Sequence, residues 1–203
     1  MRLSALVPVL FVLASGASTA VAQDIGGGVK AGVNFATLKF DGLSFDADFD
    51  NRTGLVAGAF LVVPVSSQFA IQPEALFSMK GGKMRDGDVE STIKLNFLDL
   101  PVLARFSSPS TTGTSLHVFA GPSFNFRLDA KTHTEFNGES SEADFSDEVE
   151  RFELALVLGG GVEFGRLLID GRYAWGLSKL NKDRQDEVEI KGRVFSVMAG
   201  VRF

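Results

Sequence analysis

The feature that most constrains this chain is an alternation of apolar and polar side chains that repeats every two residues. The clearest segment is Leu116–Arg127, whose odd-numbered positions are mostly polar or small and whose even-numbered positions are almost all apolar. No run of about 18 consecutive apolar residues occurs, so helices that cross a membrane are excluded. Each alternating segment instead has the length of about 9–11 residues that a tilted strand needs to cross a bilayer. The pattern therefore predicts membrane-spanning β-strands.

Eight segments of this kind are found. They are Gly28–Leu38, Thr53–Val63, Phe69–Lys80, Thr92–Phe106, Leu116–Arg127, Phe152–Phe164, Leu167–Leu177 and Arg193–Phe203. An even number of strands is what single-chain bacterial barrels use. The predicted fold is all-β: an eight-stranded antiparallel transmembrane β-barrel.

The connections between these segments alternate between long and short. The long ones are Lys39–Arg52, Gly81–Ser91, Leu128–Arg151 and Ser178–Gly192. This alternation is typical of extracellular loops and periplasmic turns, with both chain ends in the periplasm.

Two segments are less regular than the others. Thr53–Val63 is apolar on both faces, which leaves its orientation open. In Thr92–Phe106 the alternation slips near Asp99-Leu100-Pro101, and a proline cannot donate to a sheet ladder. We therefore predict a β-bulge at Asp99–Pro101.

The first 22 residues have the pattern of a secretory signal peptide. Arg2 precedes the apolar run Leu3–Ala14, and Ala20-Val21-Ala22 forms a small-x-small cleavage motif before Gln23. The apolar run is too short to span a bilayer. The predicted organisation is a signal peptide at 1–22 and a barrel domain at 23–203. The predicted location is the bacterial outer membrane, reached through the periplasm.

Aromatic residues fall at both ends of the predicted strands, as in the aromatic girdles of membrane barrels. One set is Phe69, Phe106, Phe164 and Phe203; the other is Phe35, Phe77, Phe126, Phe152, Trp175 and Phe195. The last segment resembles the C-terminal strand signal that barrel-assembly machinery recognises in outer-membrane proteins. The residues of this signal are Phe195, Val197, Ala199, Val201 and Phe203.

Three longer motifs resemble the PorT-like outer-membrane β-barrel family, also described as porin-like. They are the stretches Ser67–Gly82, Leu95–Leu103 and Gly171–Leu177. The resemblance covers most of the chain after the leader and implies the barrel fold. It implies no particular activity.

Charged residues occur on the strand face that is predicted to point into the barrel. They are Lys30, Glu74, Lys80, Lys94, Arg105, Arg127, Glu153, Glu163, Asp170, Arg172 and Arg202. Buried charges must be paired or hydrated, and an eight-stranded barrel is only wide enough for its own side chains. We predict a salt-bridge network that fills the lumen, with a narrow ion pore and a small-ligand site near a barrel mouth as the alternatives.

The long connections 39–52 and 128–151 are acidic. Between Asp129 and Glu150 there are eight acidic residues and one cation, Lys131. Solvated loops explain this composition, but so does binding of a divalent cation or an extracellular ligand. Asp46-x-Asp48-x-Asp50 begins like a calcium loop yet lacks the required glycine and closing glutamate, so an EF-hand is rejected.

Enzyme chemistry has little support in the sequence. The chain has no cysteine, and Gly159-Gly160-Gly161 lacks the Lys-Ser/Thr pair of a phosphate loop, so these glycines are interpreted as relief of crowding in a narrow barrel. His133 has Glu135 and two serines nearby, but in a segment of loop composition. No cofactor is predicted, a metal site is left open, and a net charge of −5 argues against nucleic acid as a partner.

The predicted function is that of a non-enzymatic outer-membrane barrel, with a role in envelope structure or surface interaction through its acidic extracellular loops. The expected partners are outer-membrane lipid and lipopolysaccharide, with barrel-assembly machinery during biogenesis. A small porin-like channel is the first alternative, and a lipid-modifying barrel enzyme is the second.

Overall fold

The structure, a computed structural model, describes residues 25–41, 50–86, 89–110, 113–136, 139–144, 150–178 and 189–203. The predicted signal peptide at 1–22 lies outside the described residues, as does most of the connection between the first two strands.

Nine β-strands make up the described part of the chain. They are β1 (Gly26–Asp41), β2 (Asp50–Pro64), β3 (Phe69–Asp86), β4 (Val89–Ser107), β5 (Thr114–Phe136), β6 (Glu139–Asp144), β7 (Phe152–Phe164), β8 (Leu167–Gly176) and β9 (Glu189–Arg202). No described helix is long and apolar enough to cross a membrane.

The strands form one closed antiparallel sheet. Leaving β6 aside, consecutive strands pair along the chain, and β9 pairs with β1 to close the ring. Eight strands belong to this ring, so the predicted eight-stranded barrel is confirmed. The ninth, β6, pairs with residues 131–136 of β5, while β7 pairs with residues 114–126 of the same strand.

The strands continue further than predicted at the end of the barrel away from the chain termini. β3 and β4 stay paired up to Asp86 and Val89, and β5 runs on to Phe136 before it pairs with β6. The segments 81–91 and 128–151 were expected to be loops. This part of the prediction was wrong for residues 81–86, 89–91, 128–136 and 139–144, which are in strands. We call this end of the barrel the ribbon end, and the end that carries Gly26 and Phe203 the terminal end.

The predicted bulge at Asp99–Pro101 is not present. The register of β4 is the same on both sides of that stretch, against β3 and against β5. The irregularity instead lies between Asn96 and Phe97, where Leu128 of β5 is an additional residue without a partner in β4. In β4 the side chains that face the lumen include the apolar Phe97 and Leu103, and the outward side chains are apolar as well. The alternation of polar and apolar residues is therefore hidden in the sequence of this strand.

The two faces of the sheet differ in chemistry as predicted. Outward side chains such as Leu116, Leu158 and Val201 are exposed and apolar, whereas the residues between them are buried and mostly polar. The orientation of β2, which the sequence left open, places Val56 and Phe60 in the lumen. An apolar exterior around a polar interior is the reverse of a water-soluble protein and fits a bilayer as solvent.

Candidate functional site in the barrel lumen

The centre of the lumen holds a cluster of buried charges around Glu74. Lys30 Nζ donates to Glu74 Oε1 at 2.7 Å and to Asp170 Oδ2 at 3.1 Å. Arg172 donates to both oxygens of Glu74, from Nη1 at 2.7 Å and from Nη2 at 3.1 Å. We call these four residues the central cluster. Its two cations and two carboxylates balance, which is the condition for burying charge in a narrow barrel.

His117 extends the central cluster toward the terminal end. Its Nε2 lies 2.7 Å from Asp170 Oδ1, and because a carboxylate only accepts hydrogen bonds, the imidazole donates through Nε2. Its ring stacks on Phe119, with the ring centroids 5.9 Å apart. His117 Nδ1 is buried and has no hydrogen-bond partner among the residues that the structure describes. The residue is held as a structural donor, and among the described residues its hydrogen-bond partner is a carboxylate rather than a serine or another nucleophile.

A second group of charges, the terminal cluster, lies at the terminal end around Glu163. Arg105 Nη2 donates to Glu163 Oε2 at 2.6 Å, and Arg202 Nη1 donates to Glu163 Oε1 at 3.0 Å. Gln72 connects this cluster to the central one: it accepts from Arg105 Nη1 at 3.0 Å and donates to Glu74 Oε1 at 2.6 Å. Arg202 is the most exposed member, with 32% of its side chain accessible.

A third group, the upper cluster, lies toward the ribbon end around Lys80. Lys80 Nζ donates to Asp99 Oδ1 at 2.9 Å and lies 3.6 Å from Glu153 Oε2. Asn125 Nδ2 donates to Glu153 Oε2 at 3.0 Å. Asp99 was not among the predicted lumen charges because it falls where a bulge was expected. Reading β4 as one unbroken strand would have placed it on the same face as Phe97 and Arg105.

The remaining predicted lumen charges lie in two different places. Arg127 is buried near the ribbon end, where its Nε donates to the Glu150 carbonyl oxygen at 3.3 Å. Lys94 is paired in register with Gly81 and Lys131, while the buried residues Lys80 and Leu95 are paired with each other on the opposite face. Lys94 therefore lies on the outer face, and its placement in the lumen was wrong. The expected bulge at Asp99–Pro101 would have shifted the alternation by one residue. Lys94, which precedes it, was therefore assigned to the wrong face.

Apolar and aromatic side chains fill the space between the charges. Phe60, Val62, Ala70 and Leu168 form one buried group, and Leu103, Phe119 and Val157 form another. Three lumen cations also lie over aromatic rings: Lys30 over Phe60, Lys80 over Phe97 and Arg172 over Phe119, at 5.0, 4.6 and 5.0 Å from the centroids. These contacts stabilise a cation that has lost its water.

Glycines of β7 make room for the central cluster, as the sequence suggested. A Cβ added to Gly159 would lie 2.6 Å from the Phe119 ring. A Cβ added to Gly161 would lie 2.1 Å from the Ile169 carbonyl oxygen, 2.7 Å from Asp170 Oδ1 and 2.9 Å from His117 Nε2. Larger residues at these positions would displace the lumen side chains.

We expect Gly161→Ala to destabilise the barrel by about 1–3 kcal/mol, because the added methyl forces Asp170 and His117 apart. Gly171→Ala is the matched control, since a Cβ at Gly171 meets nothing within 4 Å. Urea unfolding from lipid vesicles would measure both variants. Equal stability of the two would contradict this account of the lumen.

The lumen leaves little space for transport. Two cavities between its described side chains have volumes of about 30 Å³ and about 10 Å³. A single water needs about 10–15 Å³ by the same measure, so neither cavity can pass a hydrated ion. Within the described residues, nine of the eleven charges that were candidates for a pore, all in the central, terminal and upper clusters, are ion-paired with other lumen charges.

The aromatic side chains of the two predicted sets point away from the lumen. Each set lies at its own level along the barrel, one near each end. Phe69 and Phe106 contact each other at the terminal end, with ring centroids 5.0 Å apart. At the other level Phe126 contacts Phe152 at 5.5 Å, and Tyr173 contacts Trp175 at 4.5 Å. The C-terminal row from Phe195 to Phe203 is also outward and exposed. Its recognition by barrel-assembly machinery stays a prediction.

The acidic segments are described only in part. Residues 42–49, 137–138 and 145–149 lie outside the described residues, and of 132–136 and 139–144 only the backbone is described. The backbone register places Glu90 opposite Glu135, and His133 opposite Glu142. Among the side chains that the structure describes, no group of three or more histidine or acidic residues is arranged to hold a metal.

A closed sheet with an apolar exterior, aromatic levels at both ends and an ion-paired lumen defines a transmembrane β-barrel. The chain belongs to the family of the outer membrane protein beta-barrel domain, whose family model matches residues 21–182. Its location is the bacterial outer membrane.

Several solved structures are similar to this chain. The attachment invasion locus protein Ail of Yersinia pestis, in complex with the heparin analogue sucrose octasulfate, is 17% identical, with 89% of this chain and 100% of that one covered and a TM-score of 0.46. Neisserial surface protein A is 12% identical, with 87% and 97% covered and a TM-score of 0.48. The outer membrane enzyme PagL is 8% identical, with 86% and 98% covered and a TM-score of 0.48. None of the curated proteins matches the chain.

Proposed function

We propose that this protein is a non-enzymatic barrel of the PorT-like group, which acts in envelope structure or surface interaction through the acidic segments at its ribbon end. The observation that carries the proposal is the filled lumen. Because the described interior is occupied by paired charges and aromatic rings, the surface that is left for interaction with other molecules lies at the ends of the barrel. We place the ribbon end on the cell exterior, since the long connections lie there.

The paired backbone at the ribbon end supports the proposal. Residues 89–93, 131–136 and 139–144 form what we call the acidic ribbon, three strands joined by continuous pairing. In the acidic ribbon the backbone fixes which residues are opposite each other, unlike in the loop that the sequence suggested. Glu90 is directly opposite Glu135, and like charges in that position disfavour pairing. A bound divalent cation would relieve this repulsion, because hard cations take oxygen ligands.

The proposed partners are lipopolysaccharide and other anionic groups, joined to the acidic ribbon through Ca²⁺ or Mg²⁺. The test compares vesicles that contain lipopolysaccharide with vesicles that lack it. A variant without residues 131–147 should still assemble, yet lose calcium-dependent association with the lipopolysaccharide vesicles. Association that is unchanged in this variant would reject the ribbon as the interaction surface.

We expect millimolar Ca²⁺ to raise the thermal unfolding midpoint of the wild type. The shift should be about 2–4 °C for each kcal/mol that calcium binding adds to the free energy of unfolding. The Glu90→Gln/Glu135→Gln double variant should lose this response and be more stable than the wild type without calcium. Arg166→Gln, which changes a charge in the turn at the terminal end, is the control and should keep the response. No calcium effect on the wild type would reject the cation part of the proposal.

The two alternative functions have separate tests. In planar bilayers the protein should show no stable single-channel conductance, because the lumen cavities are smaller than a hydrated ion. Regular conductance steps would favour the porin-like channel. Hydrolysis products after incubation with lipid A or phospholipid would favour the enzyme, and His133→Ala should then abolish them.

A further inference from the structure

A small cavity separates the central cluster from the upper cluster. Its volume is about 30 Å³, and its lining is partly polar, with Asn34, Ser78, Lys80, Asp99, Ser123, Asn125, Arg172 and Ser196 in the wall. Apolar residues such as Val56 and Ala174 complete the wall. Genuinely dry cavities in proteins are lined by apolar groups alone, which is not the case here.

One residue of this wall, Arg172, carries an unsatisfied donor. Arg172 is 5% exposed and uses its two terminal nitrogens on Glu74. Its remaining group, Nε, is buried without a hydrogen-bond partner among the described residues. Leaving such a donor unpaired in a buried site is costly. The hydroxyls of Ser123 and Ser196 already donate, to Asn125 Oδ1 and Asn34 Oδ1, so each can still accept a hydrogen bond from water. The hydroxyl of Ser78 accepts from Asn34 Nδ2 and can still donate to water.

We infer that this cavity is a binding site for one or two internal water molecules, held by Arg172 Nε and the surrounding serine hydroxyls. The volume exceeds the about 10–15 Å³ that one water requires. Water is favoured over a small anion because both cations in the wall already face carboxylates: Arg172 faces Glu74, and Lys80 faces Asp99.

The bound water completes a polar path along the barrel. The terminal cluster is joined to the central cluster through Gln72. Asn34, which accepts from Ser196 and donates to Ser78, lies in the wall of the cavity between the central and upper clusters. Water in the cavity therefore joins the upper cluster to the rest and makes one hydrogen-bonded network out of the three.

Ala174→Val tests this inference, because its added methyl groups enter the cavity. If the site holds water bonded to Arg172, displacing the water should lower the thermal midpoint by about 2–4 °C. If the site is dry, filling it should raise the midpoint, because filling an empty cavity is stabilising. Ala174→Ser is the control: it adds one small polar atom and should leave the midpoint close to that of the wild type.

A high-resolution crystal structure of the wild type provides a measurement that does not depend on the variant. Solvent density within hydrogen-bond distance of Arg172 Nε supports the inference, even where Ala174→Val fails to assemble. An empty cavity would overturn it. An anomalous signal at the same position after soaking in bromide would also overturn it, in favour of an anion site.

Discussion

Glu74→Gln is expected to be the most damaging conservative substitution in the barrel. The Glu74 side chain is fully buried and is the shared acceptor of Lys30 and Arg172. Replacing the carboxylate by an amide leaves two buried cations with Asp170 as their nearest anion. Breaking a buried ion pair on one side costs about 3–5 kcal/mol, which is a large part of the stability of a domain. Urea unfolding from lipid vesicles at neutral pH would measure the loss.

Two further variants separate the loss of charge pairing from general damage to the lumen. Lys30→Met combined with Glu74→Gln removes one of the cations left without a partner and should recover a large part of the stability. Arg202→Gln at the terminal mouth should cost less than about 1 kcal/mol, because its side chain is partly solvated and Arg105 remains on Glu163. The Lys30→Met single variant completes the cycle. If the double variant loses as much free energy of unfolding as the two single variants together, Lys30 and Glu74 are not coupled.

The faces of the strands could be predicted because strand geometry alone decides them. Residues two apart share a face, so the apolar series in β5 and β7 was enough to place His117 and Glu163 inside. The partners within the lumen could not be predicted in the same way. Lys30 and Asp170 are 140 positions apart, and they meet only because of the stagger between strands around the whole ring. That stagger is a property of all eight pairings together.

The strand prediction failed where both faces of a strand are apolar and where neither face is. In β4 both faces are apolar near Asp99, so the alternation could not show which face that residue shared, and Lys94 was assigned to the wrong side. Beyond the membrane, strands no longer need an apolar face, so residues 128–136 of β5 and the whole of β6 looked like a loop. A turn signal was nevertheless present, because Asn137-Gly138 lies between these strands and Asn-Gly strongly favours two-residue hairpins.

A substitution on the outer face of the barrel is expected to cause a loss of stability of similar size, and this loss depends on the bilayer. Leu158 is exposed and lies on β7 midway between Phe152 and Phe164, one from each aromatic level. Its side chain is therefore expected at the middle of the hydrocarbon. We expect Leu158→Arg to lower the free energy of unfolding by about 2–4 kcal/mol, because arginine at the bilayer midplane must be stripped of water or distort the membrane. The measurement is urea unfolding from phosphatidylcholine vesicles.

The control for this prediction is the same substitution at a different depth. Leu167 is also exposed and outward, but it is paired in register with Phe164 at the terminal end of the barrel. Leu167→Arg should therefore cost no more than about 1 kcal/mol, since the cost of arginine falls toward the interface. The difference between the two variants should also shrink in detergent micelles, which offer a thinner and more adaptable apolar layer. Equal costs in vesicles would mean that the bilayer is not centred between the two aromatic levels.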